Sequence, residues 1–486
     1  MKKLSLISSL ILVFLTGILT VSSIQAQSLS TEIFAQRRKE LMEKMGNGIA
    51  IFKSPNVSNR NSDISYPYRQ DSDFYYLTGF EEPESAFLLV PQADKKFIMF
   101  VRNRNPRLEM WTGRIWGPEG AMEIFGADTA YTFAQFSKLL PRYLEGKEII
   151  YYHSPDIEFR KKLRKMLKEQ RGDQPRRFIK PLKYLPEMRL VKSPEEIQLM
   201  RKAINITCDA HIEAMRATEP GMYEYEIEAI IEYIFRKNGS PRNGFPSIVG
   251  SGPNSTIAHY DLNNRQTRNG DVLLMDIGAE YGYYSADVTR TIPVNGKFSQ
   301  EQREIYEIVL EAQQKAIEMV APGVGIGEVY GHCTEILKQG LYRLGLITDK
   351  DSEWQHRVWT LHGIGHWLGL DTHDVGGYLR DDEKGQILEP GMVFTVEPGI
   401  YFGENTLAYL SELSGDLVSE EEITAFIDSV KPVAEKYINI GIRIEDDVLV
   451  TEDGYDVLSQ KSPKKITEIE KLIAEKSYLT EKVDSK

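Results

Sequence analysis

The sequence contains only two cysteines in 486 residues, Cys208 and Cys333. Both lie in helix-like segments, where they either form a disulfide or remain two separate buried thiols; a chain of this length buries a core without disulfides. The sequence also lacks an excess of positive charge, because its formal net charge is −12. Nucleic acid phosphates require a concentrated lysine and arginine surface, so we expect no nucleic-acid partner.

Long hydrophobic runs are also scarce, and the only one lies near the first residue. Lys2 and Lys3 precede an apolar core from Leu10 to Leu19, and small or polar residues then lead to Ala26. This order is typical of a secretory signal. The alternative is an uncleaved anchor, since Leu4 to Val21 could nearly cross a bilayer of about 30 Å. We expect cleavage of residues 1–26, export to the periplasm or the medium, and no stable membrane span afterwards.

The remaining chain has 41% apolar and 27% charged residues, the balance of a folded protein. Residues 27–185 alternate helix-like stretches with short apolar strands, which predicts a smaller mixed α/β domain. A strong helix start follows at Ser193-Pro194-Glu195-Glu196. We therefore predict a second domain over residues 190–460, with an acidic insertion at 411–436 that is a surface helix or a lid, and a helical tail over 461–486.

The second domain contains an internal repeat. Two long helix-like runs, Pro194–Ala217 and Ser299–Val320, each end at a Pro-Gly pair and are each followed by a second helix-like run. Each pair then leads to an apolar strand that runs into an acid and a glycine, at Asp276 and Glu397. This predicts an α+β fold of two α-α-β halves around a pseudo-twofold axis. Chance similarity is the alternative, because helix pairs broken by Pro-Gly are common.

Asp276 and Asp287 flank a β-prone turn at Tyr281-Gly282. A reversal about that dipeptide would place the two carboxylates directly opposite each other on one face of a hairpin. Like charges in that position are destabilising, so they need a shared proton or a cation. Two exposed acids on a solvated sheet face are the alternative for the pair alone.

Three more residues extend this pair to a candidate metal site. Glu397 and Glu445 each end an apolar strand, and His366 lies in Leu361–Gly369. Four carboxylates and one imidazole are enough ligands for two divalent ions. This oxygen-rich set is typical of manganese and not of a sulfur-rich zinc site. A pair of ions activates water and polarises a carbonyl, which is hydrolase chemistry. Because Gly363 follows His362 where a zinc metalloprotease helix has glutamate, that class is rejected.

Three other histidines of the eight in the chain fall near these residues, namely His259, His362 and His373. Histidine near a metal centre can shuttle a proton or donate to a charged transition state. A satisfied hydrogen-bonding role is the alternative for each one alone. Arg443, two residues before Glu445, is placed to hold a carboxylate or the substrate.

The motifs around these residues resemble those of the pita-bread metallopeptidases. The resemblance is carried by five ordered motifs, which are Met275–Gly278, Ser285–Arg290, His362–His366, Thr395–Gly399 and Gly441–Asp446. In the first domain, Tyr66–Gln70 and Ser72–Phe80 are similar to aminopeptidase P, the Xaa-Pro aminopeptidases. The similarity extends over nearly all of the chain after residue 26, although the acidic insertion and the export signal depart from the compact pattern.

The resemblance implies a function and a role for each residue. Asp276, Asp287, His366, Glu397 and Glu445 would hold two manganese ions, and Glu397 would also handle the proton of the attacking hydroxide. His259, His362 and His373 would line the side of the scissile bond, and Trp111 would help close the pocket of a neighbouring subunit, which implies a homo-oligomer. The expected substrates are peptides with proline in second position. A prolidase acting on dipeptides and a non-enzymatic pita-bread binding module are the alternatives.

Overall fold

The computed structural model describes most of the chain after residue 28. Outside the described residues lie 1–28, 155, 170–176, 180–183, 379–383, 411–417, 476, 478 and 480–486. The described part forms two compact units, which divide between Met188 and Arg189 inside the short helix Leu185–Leu190. The predicted signal segment, residues 1–26, lies outside the described residues.

The first unit is built on a mixed six-stranded sheet. Its strands are β1 (Ile49–Lys53), β4 (Ala86–Leu89), β5 (Phe97–Val101), β6 (Thr129–Thr132), β7 (Ile149–His153) and β8 (Arg177–Ile179), and a separate hairpin contains β2 (Asn59–Asn61) and β3 (Ile64–Ser65). The strand order is β6-β5-β4-β1-β7-β8. The β1–β4 and β4–β5 pairs are antiparallel, whereas β1–β7, β5–β6 and β7–β8 are parallel. Parallel neighbours need crossovers, which explains the alternation of helix and strand patterns in this region.

Seven helices accompany this sheet in the described residues. They are α1 (Thr31–Met45), α2 (Ser72–Thr78), α3 (Pro106–Thr112), α4 (Gly117–Glu123), α5 (Phe136–Leu144), α6 (Ile157–Glu169) and α7 (Leu185–Leu190). The motif Ser72–Phe80 forms α2 and the residues after it. Asp71 begins this helix by accepting a hydrogen bond from the Phe74 amide at 2.9 Å, and Gly79 ends it in the left-handed conformation. The motif is therefore structural in part, since all seven residues of α2 are buried.

The second unit contains two pairs of helices in the predicted order, and strands separate the first pair from the second. The first pair is α8 (Pro194–Ala217) and α9 (Glu224–Lys237), and the second is α10 (Gln300–Glu318) and α11 (Ile326–Arg343). The helices of each pair pack against each other. Ser193 caps α8 with a reciprocal capping box to Glu196, and Ser299 does the same for α10 with Gln302. The predicted repeat of helix pairs thus follows from a repeated start signal.

Strands follow each helix pair. After the first pair come β9 (Arg242–Asn243), β10 (Ile248–Ser251), β11 (Val272–Ile277), β12 (Ala279–Tyr281), β13 (Tyr284–Ser285) and β14 (Val288–Pro293); after the second come β15 (Val393–Val396), β16 (Gly399–Tyr401), β17 (Gly441–Arg443), β18 (Asp446–Thr451) and β19 (Gly454–Val457). Three sheets have the orders β10-β11-β14, β13-β12-β9 and β15-β18-β19, and β16 pairs with β17. The unit therefore contains two successive α-α-β arrangements.

The predicted register of the Asp276 hairpin is wrong. Asp276 pairs with Thr289, not with Asp287, and the hairpin closes at Tyr281 and Tyr284. The two loop residues are Gly282 and Tyr283, with φ of 58° and 74°. Positive φ at both positions is the type I′ geometry, whose twist matches that of the strands. Because the loop residues are Gly282 and Tyr283 and not Tyr281 and Gly282, the reversal lies one residue later than predicted.

Two predicted peripheral helices are present in the described residues. The acidic insertion contains α12 (Glu420–Ala434), and the tail contains α13 (Ile466–Ile473). Ile423, Phe426 and Val430 of α12 are buried, as their helical spacing predicts.

Cys208 and Cys333 are buried and free, so the first of the two cysteine alternatives, a disulfide, is absent. Among the described residues, no helix combines the length and the apolar character that crossing a membrane requires.

Candidate metal centre

The five predicted metal ligands lie within the second unit, and the four acids among them lie at or next to strand ends. Asp276 is in β11, and Asp287 directly precedes β14. Glu397 follows β15, and Glu445 lies between β17 and β18. Antiparallel ladders join β11 to β14 and β15 to β18, and the Glu445 amide donates to the Thr289 carbonyl at 3.1 Å, which connects the two ladders. His366 is brought to the same place by its own backbone, whose N–H donates to Thr395 Oγ1 at 3.0 Å.

Side-chain distances bring these residues together. Ligand atoms of Asp287, His366 and Glu445 all lie within 4.8 Å of one another. His366 Nε2 is 3.2 Å from Asp287 Oδ2 and 3.5 Å from Glu397 Oε1. Asp276 lies close enough to raise the pKa of Asp287, Glu397 and Glu445 by charge repulsion. The arrangement is one cluster of four carboxylates around an imidazole.

The electrostatics of this cluster favour a bound cation. Burial, and then the neighbouring carboxylates, hold the pKa of Asp287 and Glu397 well above the usual range and raise the pKa of Glu445 to about 8. Asp276 Oδ1 and Asp287 Oδ1 are buried without a hydrogen-bond partner. Buried unpaired carboxylate oxygens are costly, and metal coordination satisfies them. The residues therefore fit divalent metal ions, and their hard oxygen-rich character agrees with magnesium-like or manganese-like ions.

The acid next to Glu445 has the opposite environment. Asp446 is fully buried and accepts hydrogen bonds from Arg290 at 2.7 Å, Gln313 at 2.7 Å and Ser459 at 2.6 Å, and it pairs with Lys464. Burial alone would raise the pKa of Asp446, but the cations of Arg290 and Lys464 hold that pKa well below its usual value. The chain thus neutralises this structural acid itself and leaves the charge of Glu445 for another cation.

His366 is suited to bind a metal as a neutral imidazole. Burial lowers its pKa to about 4, so its Nε2 has a free lone pair at neutral pH. The other ring nitrogen, Nδ1, lies 3.1 Å from the Trp367 carbonyl. A donor at Nδ1 leaves Nε2 to face the acids. A Cβ at Gly365 would lie 2.0 Å from the Thr395 carbonyl oxygen, so only glycine permits this approach of the His366 segment to β15.

A chain of hydrogen bonds connects the metal centre to His362. Arg443 Nη2 pairs with Asp276 Oδ2, and Arg443 Nη1 donates to Tyr401 Oη at 2.8 Å. Tyr401 Oη lies 2.6 Å from His362 Nε2. Arg443 is 2% exposed and also donates through Nε to Thr289 at 3.1 Å. It therefore holds a carboxylate, one of its two predicted roles; contact with substrate stays a prediction.

Two residues of this network escaped the sequence analysis. Tyr401 is fully buried in β16, and Thr289 donates to Glu445 Oε2 at 2.7 Å. Thr289 lies in a quoted motif, two residues after Asp287 and so on the same strand face. Tyr401 has no comparable signal, because β15 and β16 are separate strands interrupted at Pro398.

The remaining predicted residues lie in different surroundings. His362 Nδ1 is 3.5 Å from Glu397 Oε2, and burial lowers the His362 pKa to about 4. The His373 ring lies 4.2 Å from the His366 ring, and His259 is near enough to contribute to the His362 pKa shift. The three histidines are thus grouped beside the acids.

Trp111 lies in the first unit on α3 and is 86% exposed.

Comparison with known proteins identifies the class. A model of metallopeptidase family M24 matches residues 198–452, and a model of the aminopeptidase P N-terminal domain matches residues 34–151. The chain therefore belongs to metallopeptidase family M24, with the predicted pita-bread fold, and the prediction of an enzyme is confirmed.

The similarity is more specific than the family. The Xaa-Pro aminopeptidase of Escherichia coli is 40% identical over 460 residues, covering 92% of this chain and 98% of that protein, and the Haemophilus influenzae Xaa-Pro aminopeptidase is 41% identical over 454 residues with the same coverage. A solved aminopeptidase PepP from Pseudomonas aeruginosa is 38% identical with a TM-score of 0.83, covering 92% of this chain and 98% of that one. The predicted resemblance to aminopeptidase P is confirmed.

The raised pKa values predict how the stability of the metal-free protein depends on pH. Folding raises the pKa of Glu445 to about 8, so the folded chain keeps a proton that the unfolded chain releases above about pH 4.5. This contribution is complete below that pH and is lost as pH rises to about 8. We expect the free energy of unfolding of metal-free protein to fall between pH 5 and pH 8, and Glu445→Gln to reduce that fall by at least about 1.4 kcal/mol, the equivalent of one pKa unit.

Thermal or urea unfolding in chelator measures this. Glu389→Gln, at an exposed glutamate in the same unit, serves as the control and should follow the parent. Equal pH dependence in the parent and Glu445→Gln would contradict the assignment of Glu445 to the repulsive cluster.

Proposed function

We propose that this chain is an exopeptidase that hydrolyses the bond between an N-terminal residue and a following proline, and that it works with two divalent ions, manganese by preference. One observation carries the proposal: three buried carboxylates, the half-buried carboxylate of Glu397 and a neutral imidazole converge, with carboxylate oxygens left unpaired. The names of the relatives, which are Xaa-Pro aminopeptidases, support the choice of substrate.

The metal ions would be held by Asp276, Asp287, His366, Glu397 and Glu445. When bound, they would supply a water activated for attack and polarise the scissile carbonyl. Glu397 would take up the proton of that water, because its carboxylate lies 3.5 Å from both His362 and His366 and its pKa is raised toward the working range of a general base. His259, His362 and His373 would donate hydrogen bonds around the reacting carbonyl.

Proline explains why such an enzyme is needed. The nitrogen of an Xaa-Pro bond has no hydrogen, so peptidases that bind that N–H fail on it. Recognition must come from the ring and from the free amino group of the first residue. An acidic centre suits the amino group, because the cluster can accept hydrogen bonds from a cation.

The proposal is tested with Xaa-Pro-Yaa tripeptides and purified protein loaded with Mn²⁺. We expect release of the first residue, no activity in chelator, and recovery when Mn²⁺ is returned in excess. Glu397→Gln should lower kcat by at least about 100-fold, the usual contribution of general base catalysis. Glu389→Gln is the matched control and should keep parental activity.

Two results would overturn parts of the proposal. Undiminished cleavage in chelator would refute the metal role. A preference for Xaa-Pro dipeptides over tripeptides at equal concentration would indicate the prolidase alternative.

We also propose a homo-oligomer in which Trp111 closes the pocket of a neighbouring subunit. Helix α3, which carries Trp111, has no buried residue. Met110 and Trp111 are each 86% exposed and Leu108 is 40% exposed. Large apolar side chains grouped on a surface helix are typical of an interaction site.

Light scattering and steady-state kinetics test this together. We expect an assembly larger than one chain, and a KM for tripeptides raised at least several-fold by Trp111→Ala with little change in kcat. Tyr342→Ala, at a half-exposed tyrosine of α11, should leave KM unchanged. A monomer in which Trp111→Ala keeps the parental KM would refute the proposal.

Finally, we propose that residues 1–26 direct export and are then removed. The two lysines, the apolar core and the small residues before Gln27 support this. The full-length chain expressed in a bacterial host should appear outside the cytoplasm with Gln27 as its first residue, as N-terminal sequencing would show. A chain that retains Met1 in a membrane fraction would indicate the uncleaved anchor, and one in the cytoplasm would refute export.

A further inference from the structure

His259 lies outside the helices and strands of the second unit, as His362 and His373 do. It lies after the short helical turn Gly252–Thr256, and residues 257–271 contain no helix or strand before β11 begins. Its own side chain is exposed. Backbone hydrogen bonds hold this loop at Arg265 and Thr267, so nearer to His259 the position of the imidazole depends on side-chain contacts of the loop.

A single buried carboxylate accepts hydrogen bonds from residues on both sides of His259. Glu224, the first residue of α9, has no exposed surface. Its Oε1 accepts hydrogen bonds from the Ser251 amide at 2.7 Å, from Ser251 Oγ at 2.7 Å and from Asn254 Nδ2 at 3.1 Å. Its Oε2 accepts from Tyr260 Oη at 2.8 Å and from the Arg265 amide at 2.8 Å. The donors lie on both sides of His259 in the sequence.

The Glu224 side chain is not needed to begin its own helix. Glu226 caps the start of α9, because its Oε2 accepts a hydrogen bond from the Tyr223 amide at 2.7 Å. The backbone N–H of Glu224 already donates to the Arg265 carbonyl at 3.0 Å. The carboxylate is thus directed entirely to the loop, where hydrogen bonds to a charged acceptor are stronger than neutral ones.

Of the residues that donate to Glu224, Tyr260 is the nearest to His259 in the sequence. Tyr260 is 7% exposed and is anchored through its hydroxyl to Glu224, while His259 itself remains exposed. Fixing the buried residue fixes the backbone from which the imidazole projects. A displacement of about 1 Å in a catalytic group costs up to about 100-fold in rate.

From this geometry we propose that Glu224 is a positioning residue for His259: it holds the loop so that the imidazole meets the reacting groups. The inference rests on the proposed function, in which His259 contacts the substrate. In the part of the chain that the structure describes, the hydrogen bonds of the Glu224 side chain go to residues 251–265 and not to the proposed metal ligands, so Glu224 would act through His259.

A double-mutant cycle in the metal-loaded enzyme tests the proposal. Glu224→Gln puts an amide N–H₂ where one carboxylate oxygen accepts from backbone and hydroxyl donors, so the loop loses its anchor with little change in volume. We expect kcat/KM for a tripeptide to fall between about 10-fold and 100-fold. In the His259→Ala background the same substitution should have almost no further effect.

Asp374 provides the matched control. It follows His373 and is held by Arg189 Nη2 at 2.5 Å and Lys192 Nζ at 3.4 Å, so it anchors the loop of a different histidine. Asp374→Asn should lower activity by the same factor whether or not His259 is present. If the loss from Glu224→Gln is also the same in both backgrounds, Glu224 has a general structural role and the proposal is overturned.

A measurement without turnover separates this proposal from the proposed function. With only eight histidines in the chain, the His259 ring signal can be assigned in an NMR spectrum by comparison with His259→Ala. We expect Glu224→Gln to shift or broaden that signal and to leave exposed His332 unchanged. An unchanged His259 signal would overturn the proposal even if the enzyme is active, whereas a parent without Xaa-Pro activity would refute only the proposed function.

Should Glu224→Gln fail to fold, Tyr260→Phe removes the hydrogen bond of that hydroxyl to Glu224 and its longer contacts with Asn264, and leaves the other donors to Glu224 in place. It should give a smaller loss of kcat/KM, again absent in the His259→Ala background. A loss that persists there would count against the proposal.

Discussion

Mutual repulsion among buried carboxylates is the constraint on which the second unit depends. Asp276, Asp287, Glu397 and Glu445 come from four separate strand ends, and each would be destabilising without a compensating positive charge. Arg443 compensates only one of them directly, through Asp276. The two sheets that deliver the acids are therefore held in register at an electrostatic cost, which divalent ions would offset.

The contrast between Glu445 and Asp446 shows how the chain separates a functional charge from a structural one. The two residues are adjacent and both are buried, yet burial and repulsion raise the pKa of Glu445 while Arg290 and Lys464 lower that of Asp446. Arg290 also donates to the Glu445 carbonyl at 2.6 Å. The backbone is thereby fixed on one side of the strand end, and the carboxylate of Glu445 faces the metal centre on the other.

The helix starts and the clustered acids could be predicted because they follow from local sequence patterns. Capping signals at Ser193 and Ser299 give the helix starts, and acids at the ends of apolar strands give the four carboxylates of the candidate metal centre. The hairpin register could not be predicted, since a type I′ turn at Gly282-Tyr283 and one at the preceding dipeptide differ only in backbone geometry. Tyr401 was missed for a related reason: only the tertiary arrangement brings its hydroxyl between His362 and Arg443.

The hydrogen bonds that the buried Glu224 carboxylate accepts have a thermodynamic consequence for ligand binding. A loop without regular structure ordinarily loses conformational entropy when it closes on a ligand, and that loss weakens binding. Five donors already tied to one carboxylate leave the residues around His259 little freedom to lose. The conformational entropy of this loop was therefore lost when the chain folded, and a ligand that contacts His259 would meet a surface whose shape is already set.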